Sequence, residues 1–313
     1  MNILVTGGTG FLGKHIQQAF DPYKNEYDIE YSRGRLFDLT IPDVTASLFA
    51  AKKPDVVLHM AAVCGGIRAN KNRPADFLRD NTRMALNVYE AAQMFGVKKV
   101  YSLGSVCAFP KFCPVPFRED DIWNGPAEET NFPYGQAKRT LMMLGQTYRT
   151  QYGIGGAHFI VANMFGSHDH FDLVNSHVIP ALINKFTSAK EQGKSTVSCW
   201  GTGEATREFL YAGDAAQAIV KAIVTELDTD LPINLGTGID ISIKDLAHLI
   251  GQLIGFKGKI EFTGEVSDGQ PRRRLDVSRA KAMLGWEAMT KLSDGLTRTI
   301  RWYQDSKEKN EKE

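Results

Sequence analysis

Ile3-Leu4-Val5-Thr6-Gly7-Gly8-Thr9-Gly10-Phe11-Leu12-Gly13 is the stretch on which the fold turns. Four strand-forming residues are stopped by a glycine pair, and a helical stretch is predicted from Phe11 to Phe20. Glycines at 7, 10 and 13 therefore stand where a strand hands over to a helix. That spacing allows a tight turn and close backbone approach, and it points a helix N-terminus at a pyrophosphate. A plain glycine-rich turn is the alternative, and the strand-loop-helix setting argues against it. The loop residues Gly7, Thr9, Gly10, Phe11, Leu12 and Gly13 are thus expected to hold a dinucleotide.

The same alternation continues outward. Strands are predicted at 28–31, 56–59 and 99–103, and a helix at 42–53. Phe77, Met84, Val88, Ala92 and Phe95 recur at helical spacing up to Gly96. Strands alternating with amphipathic helices imply an α/β fold with a doubly wound parallel, Rossmann-like sheet. Beyond about residue 163 the pattern loosens. Helices are expected at 180–189, from a capping box at Ser242 to near Gly255, and at about 292–304. The charged tail from Lys307 is expected to fray. Residues 1–165 read as the nucleotide-binding domain, with 208–235 packing back onto it. Residues 166–313 read mainly as a smaller C-terminal α/β substrate-binding lobe.

Composition narrows the partners. The chain has 313 residues, with 37 Lys+Arg against 36 Asp+Glu, for a net charge of +1. That balance gives no footprint for nucleic acid or an anionic membrane. Arg272-Arg273-Arg274 alone is too short a run to make one. No apolar run approaches a membrane span, and Met1 leads straight into the first strand with no room for a signal peptide. The four cysteines show neither metal spacing nor a disulfide framework, which points to a reducing cytoplasm. His168-Asp169-His170 has metal-ligand chemistry but no third ligand unless His177 joins, so no metal is expected.

Two further groups bear on chemistry. An acid about 20 residues past the glycine loop favours NAD, and a cation there favours the 2′-phosphate of NADP. Arg33 occupies that place, after Ser32 and before Arg35, so NADPH is the expected cofactor. Tyr134 and Lys138 lie four residues apart on one helical face. A nearby ammonium is expected to favour the phenolate and make Tyr134 a usable acid/base. Ser105, just beyond the fourth strand, can hydrogen-bond the same substrate oxygen. On the bland reading, a Tyr-x-x-x-Lys is a solvated helix face; the glycine loop and Ser105 beside it make the set specific.

Together these features resemble the extended short-chain dehydrogenase/reductase superfamily along the whole chain. Four stretches are similar to the GDP-L-fucose synthase family within it: Gly65–Asn70, Gly104–Lys111, Asn175–Pro180 and Trp200–Leu210. The resemblance implies a 3,5-epimerase and 4-reductase acting on GDP-4-keto-6-deoxy-D-mannose, with Cys107 and His177 as the epimerisation pair. Ser105, Tyr134 and Lys138 match the reductase triad. It also implies cofactor contacts from Ser32, Arg33, Asp38, Leu39, Leu103, Lys138, Asn163 and His177. Substrate contacts are implied for Asn163, Lys185, Trp200, Arg207, Asp268 and Arg273, the cations meeting the GDP diphosphate. A homodimer built from the helices around 75–95 and 134–152 is a further expectation.

On residue chemistry alone Cys107 reads as a small buried hydrophobe and His177 as a structural histidine. Cys64, Cys113 and Cys199 are expected to be structural. The competing functions are a nucleotide-sugar 4-epimerase, a reductase for another GDP-deoxysugar, or a cofactor-sensing protein without activity. A 4-epimerase has no need of Cys107 and His177, and a sensor has none of the Tyr134–Lys138 pair.

Overall fold

The computed structural model describes residues 1–34, 36–172, 176–264 and 269–310. Twelve strands appear among them: β1 (Asn2–Thr6), β2 (Asp28–Tyr31), β3 (Val56–His59), β4 (Lys99–Ser105), β5 (His158–Val161), β6 (Asn163–Phe165), β7 (Thr196–Cys199), β8 (Thr206–Tyr211), β9 (Ile233–Leu235), β10 (Asp240–Ser242), β11 (Lys259–Phe262) and β12 (Arg272–Arg273). The helices are α1 (Phe11–Phe20), α2 (Pro42–Lys52), α3 (Ile67–Asn72), α4 (Pro74–Met94), α5 (Phe132–Tyr152), α6 (Val178–Glu191), α7 (Ala212–Val224), α8 (Ile243–Ile254), α9 (Ser278–Leu284) and α10 (Leu292–Asn310).

Six strands form one parallel sheet in the order β2-β1-β3-β4-β5-β9. Strand order reverses between β1 and β3, so a crevice opens there above the carboxyl ends of the strands. Residues of β1 alternate between two cores, as a period of two requires. Ile3 and Val5 join a core with α1, α7 and β9, while Leu4 joins one with α2, α4 and α5. Helices therefore cover both faces, the doubly wound arrangement expected from the alternation.

The later chain builds a second layer. β8 pairs with β10, β12 and β6, and β7 pairs with β11. A third core of Ile179, Ile183, Phe186, Leu246, Ile250 and Ile300 joins α6, α8 and α10. The Ser242 hydroxyl accepts from the Asp245 N–H at 3.0 Å, closing the predicted cap, and Gly255 ends α8 in the left-handed region.

Two expectations need correction. A short helix, α3, precedes α4 where none was foreseen. The last helix continues to Asn310, past the expected end near 304, and the Lys307 ammonium in that extension pairs with Glu191 at the end of α6. One turn earlier, Tyr303 stacks on Phe171 with ring centroids 4.5 Å apart.

Two buried histidines tie the sheet together. Nδ1 of His59 on β3 lies 2.8 Å from the Thr6 hydroxyl, and Nδ1 of His158 on β5 lies 2.8 Å from the Ser102 hydroxyl. Burial, assisted by the Lys138 charge, lowers both to about 3. Between pH 6.5 and 3 the unfolded chain thus binds protons that the native chain refuses, so stability falls as pH falls through that window. Urea titrations from pH 7 to pH 4.5 should show this loss, and His158→Asn should make it shallower. An unchanged pH slope in the variant would contradict the assignment.

Candidate active site

The glycine loop closes over the switch point. Gly7 has φ +70°, and a Cβ there would lie 3.0 Å from the Ala61 backbone just after β3. A Cβ on Gly13 would lie 2.4 Å from the Gly8 carbonyl. Gly10 caps α1 with extended backbone and no side-chain hydrogen bond, which leaves the first-turn amides without a side-chain cap. The loop borders a cavity of about 1210 Å³ above the strand ends.

Most of the anticipated residues meet at this one cavity. Gly7, Thr9, Gly10, Phe11, Leu12, Gly13, Ser32, Asp38, Leu39, Leu103, Ser105, Cys107, Tyr134, Lys138, Asn163 and His177 border it, as do Lys185, Trp200, Arg207 and Arg273. Arg33 is exposed beside Ser32 and is not on the wall. Asp268 and Arg35 lie outside the described residues. Asp38 accepts from the Thr40 hydroxyl at 2.7 Å and from its N–H at 3.0 Å, which hold its carboxyl below the usual range.

Lys138 is the anchor of the reactive end. It is 5% exposed and donates to the Leu103 carbonyl at 2.9 Å. Burial lowers its ammonium to about 8. Tyr134, one turn earlier on α5, keeps its ring centroid 5.6 Å from that ammonium. The expected lowering of the tyrosine by the cation is overturned here. Burial dominates and pushes the Tyr134 hydroxyl well above its ordinary value, with Cys64 and Cys107 adding to the effect. Burial thus favours the protonated phenol.

Beside it, Ser105 ends β4 and accepts from the Cys107 N–H at 3.2 Å, capping the single turn Val106–Ala108. Helix α5 docks on this turn through Gly135, where a Cβ would lie 2.5 Å from the Cys107 carbonyl. Arg139 secures the contact by donating to the Ala108 carbonyl at 2.7 Å and to Gly125 at 2.8 Å. Tyr134 and Cys107 are neighbours because of that docking.

The second layer supplies the other wall. His177 is the N-cap residue of α6. Asn163 donates to the Glu208 carbonyl at 2.9 Å. The Lys185 ammonium donates to the Ser198 carbonyl at 2.7 Å and lies 5.5 Å from the centre of the Trp200 ring. Trp200 is 55% exposed. Arg207 donates to the Thr206 carbonyl at 2.7 Å. Arg273 is buried, and its Nε donates to Gln270 Oε1 at 2.8 Å. Its Nη1 faces the Cys107 sulfur at 3.6 Å.

Cavity residues to which sequence reasoning gave no such place include Cys64, Cys199 and Asp169. Cys64, expected to be structural, borders the cavity within electrostatic reach of Lys138 and Tyr134, and desolvation pushes its thiol up. Its position just past β3 was the available signal, since strand ends face the crevice. Asp169 has one carboxylate oxygen bonded to the His170 N–H at 2.8 Å and the other buried without a hydrogen-bond partner among the described residues. Burial raises its carboxyl, opposed first by His177. No group of three or more His, Cys, Asp or Glu side chains among the described residues is arranged to hold a metal. No described helix is long and apolar enough to cross a membrane.

Gly13→Ala places a methyl against a carbonyl that cannot yield, so NADPH affinity read by fluorescence titration should fall at least about tenfold. Wild-type affinity in that variant would refute the cradle.

Known proteins share this architecture. Residues 3–236 match the model of the NAD dependent epimerase/dehydratase family. A GDP-L-fucose synthase of Sinorhizobium fredii is 38% identical over 95% of this chain and 93% of its own. GDP-L-fucose synthase 1 of Arabidopsis thaliana is 37% identical over 96% and 92%. The crystal structure of a GDP-L-fucose synthetase from Naegleria fowleri bound to NADP superposes with a TM-score of 0.88 at 28% identity, covering 98% of this chain and 95% of that one. The chain belongs to the NAD dependent epimerase/dehydratase family.

Proposed function

We propose that this chain is an NADPH-dependent 3,5-epimerase and 4-reductase that converts GDP-4-keto-6-deoxy-D-mannose to GDP-L-fucose. One observation carries the reading: a thiol and an imidazole, Cys107 and His177, border the same cavity as Tyr134, Lys138 and Ser105. A reductase alone needs only the last three. The names of the relatives in bacteria and plants, and the NADP in the amoebal structure, support it further.

The residues present fit the cofactor. A Cβ at Gly7 or Gly13 would fill the loop, and the first-turn amides of α1 suit a pyrophosphate. Gly7, Thr9, Gly10, Phe11, Leu12 and Gly13 would hold it, with Ser32, Asp38, Leu39, Leu103, Lys138, Asn163 and His177 along the same wall. Arg33, exposed at the rim, would answer a 2′-phosphate. When bound, NADPH supplies the hydride for C4.

A ketone at C4 acidifies the protons at C3 and C5, so each centre can pass through an enolate. Inversion then needs a base on one side and an acid on the other. Cys107 comes from the turn after β4 and His177 from the cap of α6, two separate elements that reach one cavity. Cys107 acts as base and His177 returns the proton. Tyr134, held protonated by burial, donates to the C4 oxygen, and Ser105 hydrogen-bonds that oxygen. Lys138 fixes the end of α5 that carries Tyr134. Lys185 and Arg207 are assigned to the diphosphate and Trp200 to the nucleotide-sugar, with Asn163 bordering the sugar, and Arg273 borders the same cavity with its guanidinium against the Cys107 sulfur.

We further propose a homodimer through α4 and α5, whose outer faces expose Leu78, Leu86, Met94 and Met143. A cytoplasmic setting suits the four free thiols. Among the assigned groups, Tyr134→Phe should abolish NADPH oxidation while NADPH still binds; retained turnover would remove Tyr134 from its role. Cys107→Ala or His177→Ala should cut solvent-deuterium entry at C3 and C5 by about 10²-fold or more. Normal incorporation in both variants would refute the epimerase pair.

A further inference from the structure

The base assigned above needs a reason to give up its proton, and the surroundings of the sulfur supply one. Lys138, a natural source of positive charge, has its ammonium bonded to the Leu103 carbonyl. The cation at the sulfur comes instead from the second layer: Nη1 of Arg273 on β12, 3.6 Å from Sγ of Cys107. We infer that Arg273 is a positioning residue whose guanidinium, donating to the Cys107 sulfur, is placed to stabilise negative charge there when the thiol gives up its proton. The inference rests on the reading of Cys107 as the epimerisation base.

The guanidinium is placed by a small buried frame. The Gln270 carboxamide accepts from Arg273 Nε at 2.8 Å. Its own NH2 donates to the carbonyls of Pro110 and Lys111 at 3.1 and 2.7 Å. Those carbonyls follow the Cys107 turn directly, so Gln270 ties Arg273 to the segment that carries the thiol. Nη2 faces Glu128 Oε2 at 3.8 Å. That carboxylate is itself held by the Thr130 hydroxyl and by Asn131 Nδ2 at 3.0 Å, so its charge is shared with local donors. From β4, the Ser105 hydroxyl accepts the Cys107 N–H, and from α5 the Tyr134 hydroxyl adds no charge while protonated. Among the described residues Arg273 is the cation bonded to the sulfur, and a guanidinium carries its charge across the working pH range. A thiol beside such a charge ionises more readily.

Alkylation reads the thiolate directly: its sulfur forms a bond to the methylene carbon of iodoacetamide and iodide leaves. The full-length chain, without substrate, is treated with iodoacetamide from pH 5.5 to 9.5, and the Cys107 peptide is quantified by mass spectrometry. Cys113, which burial pushes up to about 12, serves as an internal reference. Arg273→Gln should slow Cys107 alkylation at pH 7 by about tenfold and move the midpoint upward, while Arg273→Lys should restore most of the rate. A wild-type midpoint in Arg273→Gln overturns the inference. Should that variant fail to fold, Glu128→Gln keeps Arg273 and removes its competing charge; faster Cys107 alkylation supports the inference, and an equal or slower rate overturns it. Because no turnover is measured, loss of the epimerase reading through Cys107→Ala would leave this profile intact, and the two failures stay separate.

Discussion

A single buried ammonium organises the reactive end of this molecule. Lys138 sits under the strand ends with the Leu103 carbonyl as its hydrogen-bond acceptor, and burying such a charge costs several kcal/mol unless its partners are fixed. The histidines flanking it, His59 and His158, are held neutral by the same burial. Keeping Lys138 there requires α5 to press against β4 and the turn beyond it. Gly135 permits that approach and Arg139 secures it. Tyr134, Ser105 and Cys107 then take their places as consequences of one docking.

The remaining groups arrive from the later chain. β12 brings Arg273 to the sulfur of Cys107, and the start of α6 brings His177 to the cavity. The first sheet therefore carries the glycine loop and Tyr134, while the second layer brings His177 and Arg273 to the same cavity. On the proposed function, a net charge of +1 is compatible with two polyanionic ligands because helix amides and a few local cations would meet their phosphates.

Local features were the legible ones. The glycine loop, the strand-helix alternation and the Tyr134–Lys138 spacing lie within short windows, where periodicity and turn chemistry act directly. Contacts across long separations were not. The Arg273–Cys107 pair spans 166 positions, and no pattern within either segment announces it. Burial was equally hidden: spacing alone suggested that the ammonium lowers Tyr134, whereas desolvation wins once the helix is packed. Helix α10 runs past its expected end, and in that extension Lys307 meets Glu191 on α6, 116 positions away. Asp169 showed itself as a cavity residue only in the folded chain, whereas Cys64 already stood just past β3, where strand ends face the crevice.

The central claim is that one cavity both inverts and reduces. Incubating the protein with GDP-4-keto-6-deoxy-D-mannose and NADPH in deuterated water, followed by NMR of the sugar, tests it most directly. The account predicts GDP-L-fucose carrying deuterium at C3 and C5, formed with matching NADPH oxidation. A C4-reduced product that keeps its original configuration and protons at C3 and C5 would contradict it.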